Sequence, residues 1–190
     1  MRGRSLSAGL ALLPLGWAAA GAGGMTGHMA GHMIAVAVVA PLVAWGLGGT
    51  TLDPARRWPR AVTPMAMMVV ELAVVWGWHL PAARAFAERV PAGFILEQAM
   101  FLAAGLLLWA AVLGAGAERR AAGVGALLLT SMHMTLLGAL IGLAPRALYA
   151  HDHGLADQQV GGVVMLMIGA GSYLIGGLAM LGSLLRGRPA

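Results

Sequence analysis

The sequence contains no cysteine and no lysine, and only 10% of its 190 residues are charged. Without cysteine, disulfide bonds and thiolate metal sites are excluded, which leaves histidine, methionine and carboxylates as possible metal ligands. Soluble domains usually carry about 25% charged residues, so a water-exposed globular surface is excluded as well. The hydrophobic content of 59% and the mean hydropathy of +0.81 instead predict an integral membrane protein.

All twelve basic residues are arginines, and the net charge is +5. In a membrane protein such an excess is typical of cytoplasmic loops, so we read no nucleic-acid partner from it. The sequence shows no phosphate-binding glycine motif, nucleophile elbow or paired-carboxylate pattern of a hydrolase. We therefore expect a protein that is not an enzyme.

The hydrophobic runs predict one all-α domain, a polytopic transmembrane bundle of six spans. Their approximate limits are 6–24, 27–48, 62–80, 94–114, 121–143 and 160–185. If the first run is a signal peptide cleaved after Ala18-x-Ala20, five spans remain; we favour a retained span. Nine arginines then fall on the side of the C-terminus and three on the other side, which predicts a cytoplasmic C-terminus.

A stripe of histidine and methionine opens the second predicted span, in the sequence Met25-Thr-Gly-His28-Met29-Ala-Gly-His32-Met33. At about 100° per residue, its histidines and methionines fall within an arc of about 140° on one helix face. Gly27 and Gly31 lie on the opposite face at the spacing that lets another helix approach closely. The stripe is therefore expected to face a different neighbour, in the interior of the bundle.

These residues predict a metal site near the extracytoplasmic face. His28 and His32 are spaced to ligate one ion, and His79 reaches the same level from the third span. Thioethers suit Cu(I) and imidazole suits copper and zinc alike, so a His/Met site without cysteine favours copper. Met29 and Met33 are candidate soft ligands, although methionine could equally be an apolar filler.

Further polar residues lie within or beside the predicted spans. Glu71 stands in the middle of the third span, as either a proton or metal partner or a neutral carboxyl hydrogen-bonded to another helix. His133 is a further candidate ligand, or a simple hydrogen-bond donor to a backbone carbonyl. Glu97 lies near the outer end of its span, and Asp157 could cap the sixth. The loop motif His151-Asp152-His153 is a weaker metal signal.

Several short motifs follow one another in an order that resembles a known family. They are His28-Met-Ala-Gly-His32-Met with Val39-Ala-Pro41, Trp76-Gly-Trp78-His79-Leu80-Pro81, Leu96-Glu97, Pro145-Arg-Ala-Leu-Tyr149 and Asp157-Gln158-Gln159. Over about residues 25–185 this succession resembles the multi-span CtaG family of cytochrome c oxidase assembly factors. The matching positions are His28, His32, His79, Glu97, Asp157, Gln158 and Gln159. The chain is short at its N-terminus, and Gln98 stands where the family often has histidine.

The resemblance implies a bacterial inner-membrane protein that supports maturation of a haem–copper oxidase by handling copper. The first hypothesis is thus a factor that holds copper at its periplasmic face, with Glu97, Asp157 and Gln158 orienting the imidazoles. Its expected partners are the lipid bilayer, cytochrome c oxidase subunits and, as a candidate, a periplasmic copper chaperone. Two alternatives remain: a bis-histidine haem protein, and a copper or other metal-ion transporter that uses Glu71 and His133.

Overall fold

The computed structural model describes residues 1–149 and 154–187, and within these residues it consists of helices and connecting turns without strands. The motif His151-Asp152-His153 lies outside the described residues. The α-helices are α1 Arg2–Gly21, α2 Gly24–Met33, α3 Ala40–Leu47, α4 Pro54–Arg57, α5 Pro64–Trp78, α6 Pro81–Arg89, α7 Pro91–Leu113, α8 Arg120–Gly142, α9 Gly154–Val164 and α10 Gly171–Leu185.

Two π-helical stretches each join two α-helices into one longer continuous helix. Ile34–Val39 joins α2 to α3, and Met165–Ala170 joins α9 to α10. A short 3₁₀ turn, Ala117–Arg119, leads into α8. A π-helical turn holds one more residue than an α-helical turn, so it changes the faces that the residues on either side of it present.

The expectation of six spans is wrong. Four helical segments of the described chain are long and apolar enough to cross a membrane: Gly24–Leu47, Pro91–Leu113, Ala117–Gly142 and Gly154–Leu185. A fifth is obtained if α5 and α6, which are bent by 72° relative to each other, form one broken span. The first predicted run forms α1. Its arginines, serines, glycines and proline lower its mean hydropathy below that of a membrane span.

Proline marks where several of these helices begin. Pro64, Pro81 and Pro91 each occupy the first position of a helix, where the missing N–H has no intrahelical partner to lose. The bend between α5 and α6 therefore falls at Pro81, and it places His79 and Leu80 in a tight connection at one end of the bundle.

The glycine face of α2 packs against α1, as its spacing predicted. A Cβ atom added to Gly31 would stand 2.6 Å from Gly16 O, and one added to Gly27 would stand 2.7 Å from Ala19 O. The backbones of the two helices are therefore in close contact. Because this face is occupied by α1, the His/Met stripe on the other side of α2 points into the bundle, where Met29, Met33 and His32 are fully buried.

Arginines gather at the opposite end of the bundle from His79. Arg2 donates to Gly48 O, Arg56 donates to Gly49 O at 2.6 Å, and Arg119 donates to Pro59 O at 2.7 Å. Guanidinium groups thus satisfy backbone carbonyls at turns between helices there. The two ends of the bundle differ in chemistry, because these arginines bind carbonyls at turns, whereas the other end holds three buried histidines.

Candidate metal centre

Three buried histidines meet where α2 begins and α5 ends. His28 and His32 project from successive turns of α2, and His79 follows the last residue of α5. One ring nitrogen from each can be chosen so that all three lie within 4.8 Å of one another. The exposed fractions of these side chains are 5% or less. The structure therefore brings together the three residues that the sequence predicted as ligands; we call them the histidine triad.

Hydrogen bonding determines which nitrogen of His79 is available. Its Nδ1 lies 2.6 Å from Val75 O, and because a carbonyl only accepts, Nδ1 must carry the proton. The Nε2 lone pair is then free to bind a cation. Tyr149 holds the same residue in place by donating its hydroxyl to His79 O at 2.9 Å. Burial raises the pKa of Tyr149 to about 12, so this hydroxyl keeps its proton.

His28 lies beside a carboxylate. Its Nδ1 is 3.5 Å from Glu97 Oε2, an ion-pair distance without hydrogen-bond geometry, and an ionised carboxylate at this place favours a proton on Nδ1. The Nε2 of His28 lies 3.3 Å from the Nε2 of His79, and Met29 Sδ lies 3.4 Å from the same His79 atom. His79 Nε2 thus has two electron-rich atoms beside it, an arrangement that a bound cation would stabilise.

His32 completes the triad with two nitrogens that lack partners. Its ring stacks on Phe101 with centroids 3.9 Å apart and planes 12° apart. Neither ring nitrogen has a hydrogen-bond partner in the described part of the chain, although the side chain is fully buried. Leaving a buried polar atom unsatisfied costs about 1–3 kcal/mol, so this ring is suited to donate a lone pair to a metal ion.

A buried arginine of α6 anchors the carboxylate of Glu97. Arg84 on α6 is only 5% exposed, and its Nη1 donates to Glu97 Oε1 at 2.7 Å. Its Nε lies 2.9 Å from Glu88 Oε1, and Gln98 Nε2 donates to Glu97 Oε2 at 3.3 Å. Arg84 and Glu88 are four residues apart in a helix, which is the one sequence signal that could have found this ion pair.

Asp157 and Gln158 bond to the backbone rather than to imidazole, which corrects the role expected for them. Asp157 Oδ2 accepts from Met25 N at 2.6 Å, so this carboxylate of α9 satisfies a free N–H at the start of α2. Gln158 donates to Ile141 O at 3.0 Å and accepts from Leu148 N at 2.6 Å. Both residues therefore fix the positions of helices around the triad.

The remaining candidates lie elsewhere in the bundle. Met33 has its sulfur against Gly169, in the second π-helical stretch. His133 is buried in α8, outside the triad, with no hydrogen-bond partner on either ring nitrogen among the residues described. Glu71 accepts a hydrogen bond from Tyr173, whose ring stacks on Trp109. Both interpretations of Glu71 remain predictions, because this hydrogen bond engages Oε1 alone and Oε2 has no partner among the described residues. Tyr173 and Trp109 gave no distinctive sequence signal.

A comparison with protein families identifies the chain. The family model described as cytochrome c oxidase caa3 assembly factor, Caa3_CtaG, matches residues 6–187. The chain belongs to this family. The match includes the triad and Glu97, and it confirms the resemblance seen in the sequence. Membership in an assembly-factor family implies a non-catalytic role, and the apolar helices agree with a protein of the membrane. Searches of curated proteins and of solved structures returned no match.

Proposed function

We propose that this chain is a membrane assembly factor that carries a copper ion on His28, His32 and His79, with Met29 as a soft ligand, and supports insertion of that ion into cytochrome c oxidase. The observation that carries the proposal is the approach of two buried imidazole Nε2 atoms to 3.3 Å, beside His32, whose ring nitrogens have no hydrogen-bond partner among the described residues. Two nitrogens bound to one metal at about 2.0–2.1 Å and at a tetrahedral angle are separated by about this distance.

The donor atoms favour copper over zinc. A thioether lies 3.4 Å from His79 Nε2, and the sequence contains no cysteine that could form a structural zinc site. Thioether sulfur is a soft ligand that selects Cu(I), while the imidazoles would hold either oxidation state. The ion is cargo in this proposal, so a site with few ligands at the end of the bundle suits its transfer to another protein.

The surrounding residues would keep the triad ready to receive the ion. Val75 O fixes the tautomer of His79, the negative charge of Glu97 favours a proton on His28 Nδ1, and Arg84 holds Glu97 through its Nη1. Such supporting contacts raise metal affinity by orienting the ligands. Two further contacts hold the surroundings of the triad. Asp157 connects α9 to the start of α2, and Tyr149, in the loop before α9, bonds to His79 O.

The distribution of charge supports an orientation in the bacterial inner membrane. The end of the bundle rich in arginine would lie in the cytoplasm together with the C-terminus, and the triad would open towards the periplasm. In this orientation, the ion would come from the periplasm, with a copper chaperone as a candidate donor and an oxidase subunit as the acceptor. The apolar exterior of the bundle would contact the lipid bilayer.

The two alternatives explain less of the geometry. Bis-histidine haem requires axial nitrogens on opposite sides of the iron, about 4 Å apart, with a flat macrocycle between them. The nitrogens of His28 and His79 are only 3.3 Å apart, which leaves no room for it. A transporter that uses Glu71 and His133 would leave the convergence of the triad unexplained; Glu71 Oε1 accepts from Tyr173, and its Oε2 has no hydrogen-bond partner among the described residues.

The test is a comparison of His32→Ala with Phe101→Leu. The first variant removes a ligand, and the second removes the ring that stacks on His32 while leaving every lone pair in place. We expect His32→Ala to hold less copper by elemental analysis and to leave less active oxidase in the membrane at an unchanged protein level. Phe101→Leu should retain its copper. Equal copper content in wild type and His32→Ala would refute the proposal.

A further inference from the structure

A second group of metal-binding atoms lies beyond the triad, one helical turn further along α2. Met33 and Met134 come from α2 and α8 and are both fully buried. Their sulfurs both lie beside Gly169, at 2.6 Å and 3.8 Å from the point that a Cβ atom on this glycine would occupy. Two soft donors from different helices therefore border the same glycine inside the bundle.

Gly169 is what makes room for this approach. It lies in the π-helical stretch Met165–Ala170, and any larger residue would collide with the sulfur of Met33. Ser131 donates to Ala170 O at 2.8 Å, so a side chain from α8 satisfies a carbonyl in the same stretch. Stretches of π-helix within α-helices are frequent at functional sites. Here the stretch gives two sulfurs access to one space.

His133 is a further buried nitrogen donor in the same turn of α8 as Met134. It is 7% exposed, and neither of its ring nitrogens has a hydrogen-bond partner within residues 1–149 and 154–187. Met132, on the other side of His133, is 65% exposed. Met132 and His133 thus lie on different faces of α8, the first exposed and the second buried.

We propose that Met33, Met134 and His133 form a second Cu(I) site next to the triad and deeper in the bundle. This inference rests on the proposed function, since it assigns the same ion to both positions. Two thioethers and one imidazole form a softer donor set than three imidazoles and one thioether, so the inner site selects Cu(I) over Cu(II) and Zn(II). The protein then holds two ions, and His32 lies near both sites.

The test counts Cu(I) ions on the detergent-solubilised protein under anaerobic, reducing conditions, in competition with a chromophoric Cu(I) chelator. Wild type should bind two equivalents and Met33→Leu/Met134→Leu one. The matched control is Met132→Leu, which removes a methionine from the exposed face of the same helix and should still bind two. The variant His28→Ala/His79→Ala should bind one equivalent, and its X-ray absorption spectrum should show sulfur neighbours that disappear when Met134→Leu is added.

The outcomes separate this inference from the proposed function. If Met33→Leu/Met134→Leu binds as many ions as Met132→Leu, the inner site is refuted while the triad remains. If His28→Ala/His79→Ala loses no ion, the triad is refuted while the inner site remains. Selenomethionine-labelled wild type gives a measurement without any substitution, because the inner site predicts more than one selenium neighbour per protein at copper. A single equivalent on wild type, with one selenium neighbour, would overturn the inference.

Discussion

The Nε2 atoms of His28 and His79 lie 3.3 Å apart, although 51 positions of sequence separate the two residues. His79 Nδ1 bonds to Val75 O at 2.6 Å, and His28 Nδ1 lies 3.5 Å from Glu97 Oε2. The Nε2 lone pair of His79 therefore faces the ring of His28. Arg84 supports this arrangement, since its Nη1 binds Glu97, the carboxylate beside His28.

We predict that Arg84 and Glu97 depend on each other. Arg84→Gln leaves Glu97 charged and buried, which typically destabilises a protein by about 3–5 kcal/mol. Glu97→Gln should cost less, because Arg84 keeps its contact with Glu88 at 2.9 Å. The double variant removes both charges of the Arg84–Glu97 pair and should recover much of the loss seen in Arg84→Gln. Thermal unfolding in detergent measures the stability of the four proteins. Losses in the single variants that simply add up in the double variant would show that the two groups are not coupled.

Copper affinity should separate the roles of the two residues. Glu97→Gln weakens the orientation of His28 directly, so we expect copper to bind about 10–100-fold less tightly, as for other residues that support metal ligands. The double variant should regain stability without regaining this affinity. If affinity and stability recover together, Glu97 would matter to the site only through the ion pair.

The convergence of the triad could be predicted from the sequence, whereas its supports could not. His28 and His32 are four residues apart on one helix, and His79 stands at the end of the predicted third span, so the sequence predicted their common level from span length and topology. The contact of Arg84 with Glu97 depends on the 72° bend between α5 and α6. Hydropathy cannot reveal such an angle.

Other features depend on tertiary packing in the same way. Asp157 opens α9 and could be expected to cap its own helix, but its carboxylate accepts from Met25 N because the beginnings of α2 and α9 lie side by side. The π-helical stretches insert one residue into an otherwise helical pattern, and an apolar sequence such as Ile34–Val39 looks the same in either conformation. The failure of the first run to qualify as a span reflects composition, which was visible in its glycines and serines.

A second prediction concerns the contact between α1 and α2. Gly31→Ala would place a methyl group 2.6 Å from Gly16 O, a backbone atom that cannot move without displacing α1. We expect a loss of about 1–3 kcal/mol in stability, as for overpacked interiors, and a lower unfolding temperature in detergent. The control is Gly125→Ala in α8, where nothing lies within 4 Å of the added carbon. That variant should be neutral or up to about 1 kcal/mol more stable.

The contact between α1 and α2 should also affect metal binding. If α1 is pushed away by Gly31→Ala, α2 loses the backing that directs His28 and His32 towards His79, so copper affinity should fall together with stability. Gly125→Ala should leave copper binding unchanged. A Gly31→Ala protein with the unfolding temperature and copper affinity of wild type would show that the close approach of α1 and α2 is not needed by the site.

The third prediction concerns Glu71, whose Oε1 accepts a hydrogen bond from Tyr173. Glu71→Gln keeps an acceptor oxygen for Tyr173 but removes any negative charge, whereas Glu71→Leu removes the acceptor and leaves a buried hydroxyl with only Val36 O, at 3.4 Å. If Glu71 is a structural hydrogen-bond partner, Glu71→Gln should bind copper and support the oxidase like wild type, and Glu71→Leu should lose about 1–3 kcal/mol of stability. Copper binding or oxidase maturation that fails in Glu71→Gln, in a protein that unfolds at the wild-type temperature, would instead give the charge a role in moving ions or protons through the bundle. Measuring both variants in the same membranes distinguishes the two, because only the structural role predicts that leucine is worse than glutamine.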